Sequence, residues 1–151
     1  MKLLLLPVVM LALGGCVSVT VNKDMLENDP VDCVDPVKVT SPGAIVVTPV
    51  ASHPIADAPG KTLTSVLLTV PPGAKSNAHR HSGVAFGYVI EGAVCSQITG
   101  DAGLKPYRAG ESFFEPPGSH HLGFVNPGLI SAKVLVTFVA DTGAPMTVPL
   151  Q

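Results

Sequence analysis

The stretch PPGAKSNAHRHSGVAFGYVIEG, residues 71–92, decides the fold. It opens on the turn signal Pro71-Pro72-Gly73 and ends in an apolar run that predicts a strand over Val84–Ile90. Between them stand two histidines, His79 and His81. Residues two apart in an extended strand point to the same side, with Cα atoms about 6.6 Å apart, so both imidazoles can converge on one ion. The stretch therefore predicts turn-rich β structure with a histidine metal site.

The rest of the chain repeats this pattern of short apolar runs and sharp breaks. The chain has 15 glycines and 15 prolines among 151 residues, which is too many helix breakers for a helical bundle. Val, Ile, Thr and Leu dominate eight runs that predict strands: Ala44–Val50, Thr62–Val70, Val84–Ile90, Ala93–Thr99, Ser112–Glu115, His120–Val125, Ala132–Ala140 and Met146–Leu150. Eight strands at this spacing indicate an all-β sandwich or barrel.

The composition excludes several classes of function. Apolar residues make up 46% of the chain, enough for one domain with a packed core. Charged residues make up only 13%, with 9 basic against 11 acidic, so the basic patch that a nucleic-acid partner requires is not expected. The chain has no Trp, two Tyr and five Phe, which leaves few aromatic surfaces for stacking bases or sugars.

A second histidine pair follows a second Pro-Pro-Gly turn. His120 and His121 come directly after Pro116-Pro117-Gly118-Ser119. Adjacent residues of a strand point to opposite sides, so only one of the two can face the same interior as the first pair. The other is expected to be exposed or to support the site from outside.

These stretches resemble the two motifs of the cupin family. GAKSNAHRH, residues 73–81, with YVIEG, residues 88–92, resembles the first motif, G-x5-H-x-H-x3-E-x6-G; GESFFEPPGSHH, residues 110–121, resembles the second, G-x5-P-x-G-x2-H-x3-N. The resemblance covers residues 41–148 and implies a small single-domain cupin of type 2, folded as a double-stranded β-helix or jelly-roll barrel. It also implies a homodimer, and a divalent ion (Mn, Fe, Zn, Ni or Cu) on the family's ligand positions, His79, His81 and His121.

The sequence departs from the family pattern in two places. Ala85 stands where the first motif has its glutamate ligand, and four residues rather than three separate His121 from Asn126. Three outcomes stay open: three histidines with water, a substitute side chain, or no metal. The candidates for an additional ligand or an outer partner of the site are, in order, Glu115, Gln97 and Glu111, with His120 as an outer partner.

The resemblance implies metal-dependent chemistry on a small molecule inside the barrel, of the dioxygenase or isomerase kind. Three neutral imidazoles leave the charge of the ion unbalanced and favour a Lewis-acid role, whereas an added carboxylate suits Fe(II) and O₂. A metal-dependent oxidoreductase is therefore one hypothesis. The alternative is a non-catalytic cupin that binds a small ligand or a metal, because one barrel serves many functions.

The N-terminal residues predict export and anchoring. A lysine and an apolar run over Leu3–Leu13 indicate a signal peptide over residues 1–15, too short for a spanning helix. Leu13-Gly14-Gly15-Cys16 resembles the bacterial lipobox, which implies lipidation of Cys16 and, with Val17 next, the periplasmic face of the outer membrane. A soluble periplasmic or secreted protein is the alternative. Residues 16–40 are predicted as an acidic tether and 41–151 as the barrel.

Two cysteines remain besides Cys16. A bridge between Cys33 and Cys95 is one alternative. The preferred prediction is that they stay unpaired, because Cys95 lies in a predicted strand, where cysteine is commonly a small buried group, and Cys33 lies in the tether.

Overall fold

The computed structural model describes residues 31–33 and 39–150. The regular structure in these ranges is β throughout, in eleven strands: β1 Val46–Pro54, β2 Lys61–Val70, β3 Lys75–Ser76, β4 His79–Arg80, β5 Val84–Glu91, β6 Ala93–Ile98, β7 Lys105–Arg108, β8 Ser112–Glu115, β9 His120–Val125, β10 Ala132–Asp141 and β11 Val148–Pro149. Within the described ranges no helix is long and apolar enough to cross a membrane. The predicted signal peptide, Cys16 and most of the predicted tether lie outside the described residues.

Two antiparallel sheets face each other and enclose the core. The first has the order β1-β2-β10-β5-β8, and the second has the order β11-β4-β9-β6-β7 with β3 beside β9. The side chains buried between them are small or aromatic: Val66, Val70, Ala74, Ala85, Val89, Val94, Phe113, Phe124, Ala132, Val134, Val136 and Phe138. This is the jelly-roll barrel, so the predicted fold class is confirmed.

Three of the observed strands, β3, β4 and β7, were not predicted from the sequence. They form through pairing with neighbouring strands rather than through local strand preference. Strand β7 was not predicted, because Lys105, Pro106 and Arg108 carry little intrinsic strand preference. It forms because its backbone pairs with β6. The two-residue strands β3 and β4 form in the same way, beside β9.

A glycine in β5 makes room for one wall of the barrel interior. A Cβ built on Gly87 would lie 2.2 Å from Cζ of Phe113, so the Phe113 ring rests directly on the glycine. Any larger residue at position 87 would push the ring away. The ring of Phe113 lies 6.3 Å from that of Phe124, centroid to centroid, and thereby joins the two sheets.

A disulfide joins Cys33 to Cys95, so the prediction of unpaired cysteines is wrong. Val94 is a core residue and Ser96 contacts His121, and the alternation along β6 places the Cys95 side chain on the opposite face of the sheet, where Cys33 meets it. The polar lead-in around Cys33 gives no sign of this contact. Because residue 33 is fixed to the barrel, only the part of the predicted tether that precedes it can act as a spacer.

Removal of this disulfide is expected to destabilise the fold strongly. The bridge spans 62 residues of sequence, and closing a loop of that length in the unfolded chain corresponds to about 4 kcal/mol. The double variant Cys33→Ala/Cys95→Ala should lose about this free energy of unfolding in urea under oxidising conditions. Dithiothreitol should lower the free energy of unfolding of the wild type by a similar amount and leave that of the variant unchanged. Equal stability of the two proteins without reductant would show that the bridge does not constrain the unfolded chain.

Candidate metal centre

Three histidines from separate parts of the second sheet meet inside the barrel. His79 on β4 pairs with His121 on β9, and His81 follows β4 directly. The candidate ligand atoms of the three imidazoles all lie within 4.8 Å of one another. His121 is only 4% exposed. The neighbouring His120 pairs with Arg80 and is exposed, so only one histidine of the second pair reaches the interior.

A β-bulge absorbs the extra residue of the second motif. Gln97 pairs with Gly123, but the next residue of β6, Ile98, pairs with His121, so Leu122 is the additional residue on β9. Without this shift, strict alternation would put His121 and Phe124 on opposite faces. With it, both line the same cavity. The bulge therefore keeps the His121 side chain pointing into the barrel despite the additional residue.

Glu115 brings a buried carboxylate to the histidines. It lies at the end of β8 and is only 3% exposed. Its Oε1 lies 3.2 Å from Nδ1 of His121, and its Oε2 lies 3.4 Å from Nε2 of His81. Glu115 pairs across the strands with Ala85, the position at which the motif has its glutamate. The carboxylate thus stands one strand away from the family position, in the same register.

Each imidazole is held by a protein oxygen on one ring nitrogen. Nδ1 of His79 lies 2.7 Å from the carbonyl of Asn77, and Nδ1 of His81 lies 2.7 Å from the carbonyl of Met146. A carbonyl only accepts, so these Nδ1 atoms donate, and in the neutral ring Nε2 is the unprotonated nitrogen that can bind a metal. Nε2 of His121 lies 2.9 Å from Oγ of Ser96, which leaves Nδ1 of His121 for the cluster. Outer partners of this kind orient metal-binding imidazoles in proteins.

The cluster contains buried polar atoms without hydrogen-bond partners. Oε2 of Glu115 and Nδ1 of His121 are both buried and neither has a hydrogen-bond partner, although each lies within 3.4 Å of an atom of the cluster. Such orphaned atoms are rare and costly in native proteins. A divalent cation among them would engage both, so the residues present fit a metal ion.

The pKa values of the two histidines beside Glu115 shift in opposite directions, although the carboxylate raises both. Burial is the main influence on His121 and lowers its pKa from 6.5 to about 4, against the attraction of Glu115 and together with the charges of the other two histidines. Burial also favours the neutral form of His81. There, however, the Glu115 carboxylate and the hydrogen bond with Met146 together prevail, and the pKa of His81 is raised above 6.5. Next to the same carboxylate, His81 is therefore protonated more readily than His121.

The lowered pKa of His121 predicts that acid destabilises the metal-free protein. Between 6.5 and about 4 the unfolded chain binds a proton at this residue and the folded chain does not, so stability falls as the pH falls, by up to about 1.4 kcal/mol per pH unit. His81 acts in the opposite sense, since its raised pKa adds stability at low pH that is lost as the pH rises through the folded value. Urea unfolding of His121→Gln should show a flatter loss of stability between pH 6.5 and about 4. His81→Gln should instead lack the gain in stability that the wild type shows as the pH falls towards 6.5 from above. A wild-type stability independent of pH over this range would contradict the prediction.

Three sequence candidates do not reach the cluster. Gln97 lies on the face of β6 opposite to Ser96, because successive side chains alternate. Glu111 is exposed and accepts a hydrogen bond from the backbone N–H of Arg108 at 2.7 Å. His120 is exposed on β9. The residue of β6 that does contact a histidine, Ser96, was missed, since its direction depends on the pairing register.

A cavity of about 560 Å³ opens beside the cluster. Its lining joins the three histidines and Glu115 to mainly apolar side chains from both sheets and from the segments around residues 44–47 and 146–149. The ring of Phe138 lies 5.0 Å from that of His81, and the ring of Phe124 lies 5.6 Å from that of His121, centroid to centroid. The site is therefore a polar cluster in an apolar pocket of the size that small molecules occupy.

Comparison with known proteins agrees with this geometry. Residues 66–138 match the family model described as a cupin domain, a range that contains the three histidines and Glu115. The fold is a cupin barrel. No curated protein matches the chain.

Solved structures show the same barrel at low sequence identity. A conserved protein with a double-stranded β-helix domain from Klebsiella pneumoniae is 18% identical with a TM-score of 0.56, and the match covers 89% of this chain and 99% of that one. TT1209 from Thermus thermophilus is 23% identical with a TM-score of 0.53, covering 69% and 90%. Oxalate decarboxylase from Bacillus subtilis is 22% identical with a TM-score of 0.51, covering 60% of this chain but only 24% of that one. These likenesses support the cupin fold.

Proposed function

We propose that the chain is a cupin that binds one divalent metal ion through His79, His81, His121 and the carboxylate of Glu115. The observation that supports this is the position of Glu115, which is buried, lies against two of the imidazoles and carries an unpartnered oxygen. A buried carboxylate with no metal and no full set of hydrogen bonds would be costly. In this proposal the Glu115 carboxylate takes the place of the motif glutamate, whose position is occupied by Ala85.

This donor set suits several divalent ions of the first transition series. Three imidazole nitrogens and one carboxylate oxygen match Mn, Fe, Zn, Ni or Cu, and the carboxylate balances one of the two charges. A bound ion would supply Lewis-acid polarisation or, in the case of iron, redox chemistry with O₂. The protein orients the imidazoles through Asn77, Met146 and Ser96, and the rings of two phenylalanines pack beside His81 and His121.

We propose metal-dependent chemistry on a small molecule in the cavity, of the dioxygenase or isomerase kind. Non-catalytic binding is the second candidate, and one observation favours it. Among the described residues that line the cavity, Lys75 is the one titratable side chain outside the cluster, and it is exposed. Acid–base catalysis independent of the metal site therefore has no buried group to perform it.

A cobalt titration tests the proposed site without assuming a reaction. Metal-free full-length protein should bind about one Co(II) per chain, with visible absorption bands of an ion held by nitrogen and oxygen donors. In Ser96→Ala, the His121 ring loses its outer partner, and the affinity should fall by about tenfold or more. Absence of saturable binding in the wild type would refute the proposed site. If the wild type does bind metal, oxygen consumption by the iron-loaded protein would distinguish oxygen-dependent catalysis from binding alone.

We propose that the protein is lipid-anchored at Cys16 in the bacterial envelope, on the periplasmic face of the outer membrane. The Cys33–Cys95 disulfide supports an oxidising compartment, since such bonds are rare in the reducing cytosol. Wild-type protein should partition into detergent with lipid mass on Cys16, and Cys16→Ser should remain an uncleaved precursor. Efficient release of a soluble mature form from the wild type would refute the anchor and leave the soluble periplasmic or secreted alternative.

We also propose a homodimer. Its support is an apolar area on the outer face of the first sheet, formed by side chains that are each between 41% and 55% exposed: Phe86, Tyr88, Ile90 and Phe114. Phe86 and Phe114 are direct cross-strand neighbours on β5 and the edge strand β8. Contiguous exposed aromatic residues of this kind are typical of protein contacts.

A further inference from the structure

The cavity separates its polar groups sharply from its apolar ones. The histidines and Glu115 lie together, whereas the other side chains that the first sheet contributes to the cavity lining are hydrocarbon. Val66 on β2 pairs with Val136 on β10, and Leu68 lies two residues along from Val66, on the same face. Glu115 is the one charged side chain that the first sheet contributes to the cavity lining. A ligand that reaches the cluster therefore lies along an apolar wall.

The remaining polar groups of the cavity cannot balance a second negative charge in its interior. Ser76 has a buried hydroxyl without a partner, but a hydroxyl is neutral. Lys75 precedes it on β3 and is exposed, so it supplies no buried positive charge. Apart from Lys75 and the three histidines, the described lining contains no basic side chain. A second carboxylate on the ligand would thus be desolvated without a partner, at a large cost.

Apolar residues outside the buried core also line the cavity. They include Ile45, Val47, Met146 and Pro149, and Val47 is 53% exposed. A volume of about 560 Å³ far exceeds that of a two-carbon diacid and suits a molecule with a substantial apolar body. Most of the cavity lining outside the cluster is therefore apolar.

We infer that the ligand or substrate is an elongated, mainly apolar molecule with a single metal-binding head group and an aliphatic or aromatic body. The head lies at His79, His81, His121 and Glu115, and the body lies against Val66, Leu68 and Val136. Small dianions are excluded as preferred ligands, because the interior offers only one place for a charged group. The head-group assignment rests on the proposed metal site, but the apolar body rests on the cavity wall alone.

Calorimetric titration of the zinc-loaded full chain with straight-chain monocarboxylates from butanoate to octanoate tests the inference. The dissociation constant should fall by about fourfold for each added methylene until the cavity is full. Hexanedioate should bind at least about tenfold more weakly than hexanoate, because its second carboxylate meets no buried cation. A flat series, or tighter binding of hexanedioate, would overturn the inference.

A matched pair of variants on β10 locates the apolar body. Val136→Thr places a hydroxyl on the cavity wall with nearly the same shape, and should weaken octanoate by about tenfold. Val139→Thr makes the same change on the opposite face of the strand and should leave the affinity unchanged. Equal effects of the two variants would contradict the assigned path.

Two further measurements separate this inference from the metal proposal. The zinc content of every sample is determined, and 1-butanol to 1-octanol are titrated into both zinc-loaded and metal-free protein. The alkanols should show the same gain of about fourfold per methylene in both forms, since the wall does not depend on the ion. Protein that takes up no zinc but keeps this gain would refute the metal site and retain the apolar-body inference. Zinc-loaded protein that shows no gain of affinity per methylene would retain the metal site and refute the apolar-body inference.

Discussion

Metal retention is expected to be lost when any one of His79, His81 and His121 is replaced by alanine. Each change removes one nitrogen donor from a cluster whose ligand atoms lie within 4.8 Å of one another. Loss of even an outer partner commonly weakens a metal site by about 10- to 100-fold, and loss of a direct ligand should exceed this. The measurement is metal content after gel filtration of protein loaded with one equivalent of zinc or manganese.

The chain supplies its own controls for this experiment. His120→Ala removes the neighbour of His121, and His53→Ala removes an exposed histidine of β1, so both should retain their metal. Near-UV circular dichroism of every variant would establish that the barrel remains folded. Loss of metal in His120→Ala with retention in His121→Ala would contradict the pairing register of β9.

The Glu115→Gln variant is expected to weaken metal binding by about tenfold or more, because it replaces a charged donor with a neutral amide of the same shape. The site then has three imidazoles and no carboxylate to balance the ion. Glu111→Gln is the matched control, since this carboxylate is exposed near the start of the same strand. Unchanged affinity in Glu115→Gln would indicate a site of three histidines completed by water.

Moving the carboxylate from position 115 on β8 to position 85 on β5 tests whether the two positions serve the same metal site. Ala85 is fully buried directly opposite Glu115, so Ala85→Glu alone would crowd two carboxylates together and should destabilise the barrel. The double variant Ala85→Glu/Glu115→Ala moves the carboxylate back to the family position with little change in total volume. It should bind metal more tightly than Glu115→Ala alone. No recovery of binding would mean that the two positions do not serve one site.

The sequence motifs predicted those parts of the site that depend on local spacing. His79 and His81 share a side because they lie two residues apart, and the second motif selected His121. Glu115 was selected because it precedes a turn that leads back to the histidines. All four line one cavity. Their role as ligands is what the experiments above test.

The features that escaped prediction depend on contacts between distant segments. Whether Ser96 or Gln97 faces the interior depends on the register of β6 against β9, which includes a bulge at Leu122. The Cys33–Cys95 bridge joins residues 62 apart, and neither local sequence contains a signal for the partner. Spacing along one strand is readable from sequence, whereas register between strands is a tertiary property.

Elemental analysis of the full-length protein, purified from its native cells without chelators or a histidine tag, tests the proposed metal centre most directly. The wild type should contain about one divalent transition-metal ion per chain, and Glu115→Gln prepared in parallel should contain much less. Wild-type protein free of transition metal that also fails to take up added manganese, iron or zinc would contradict the metal centre.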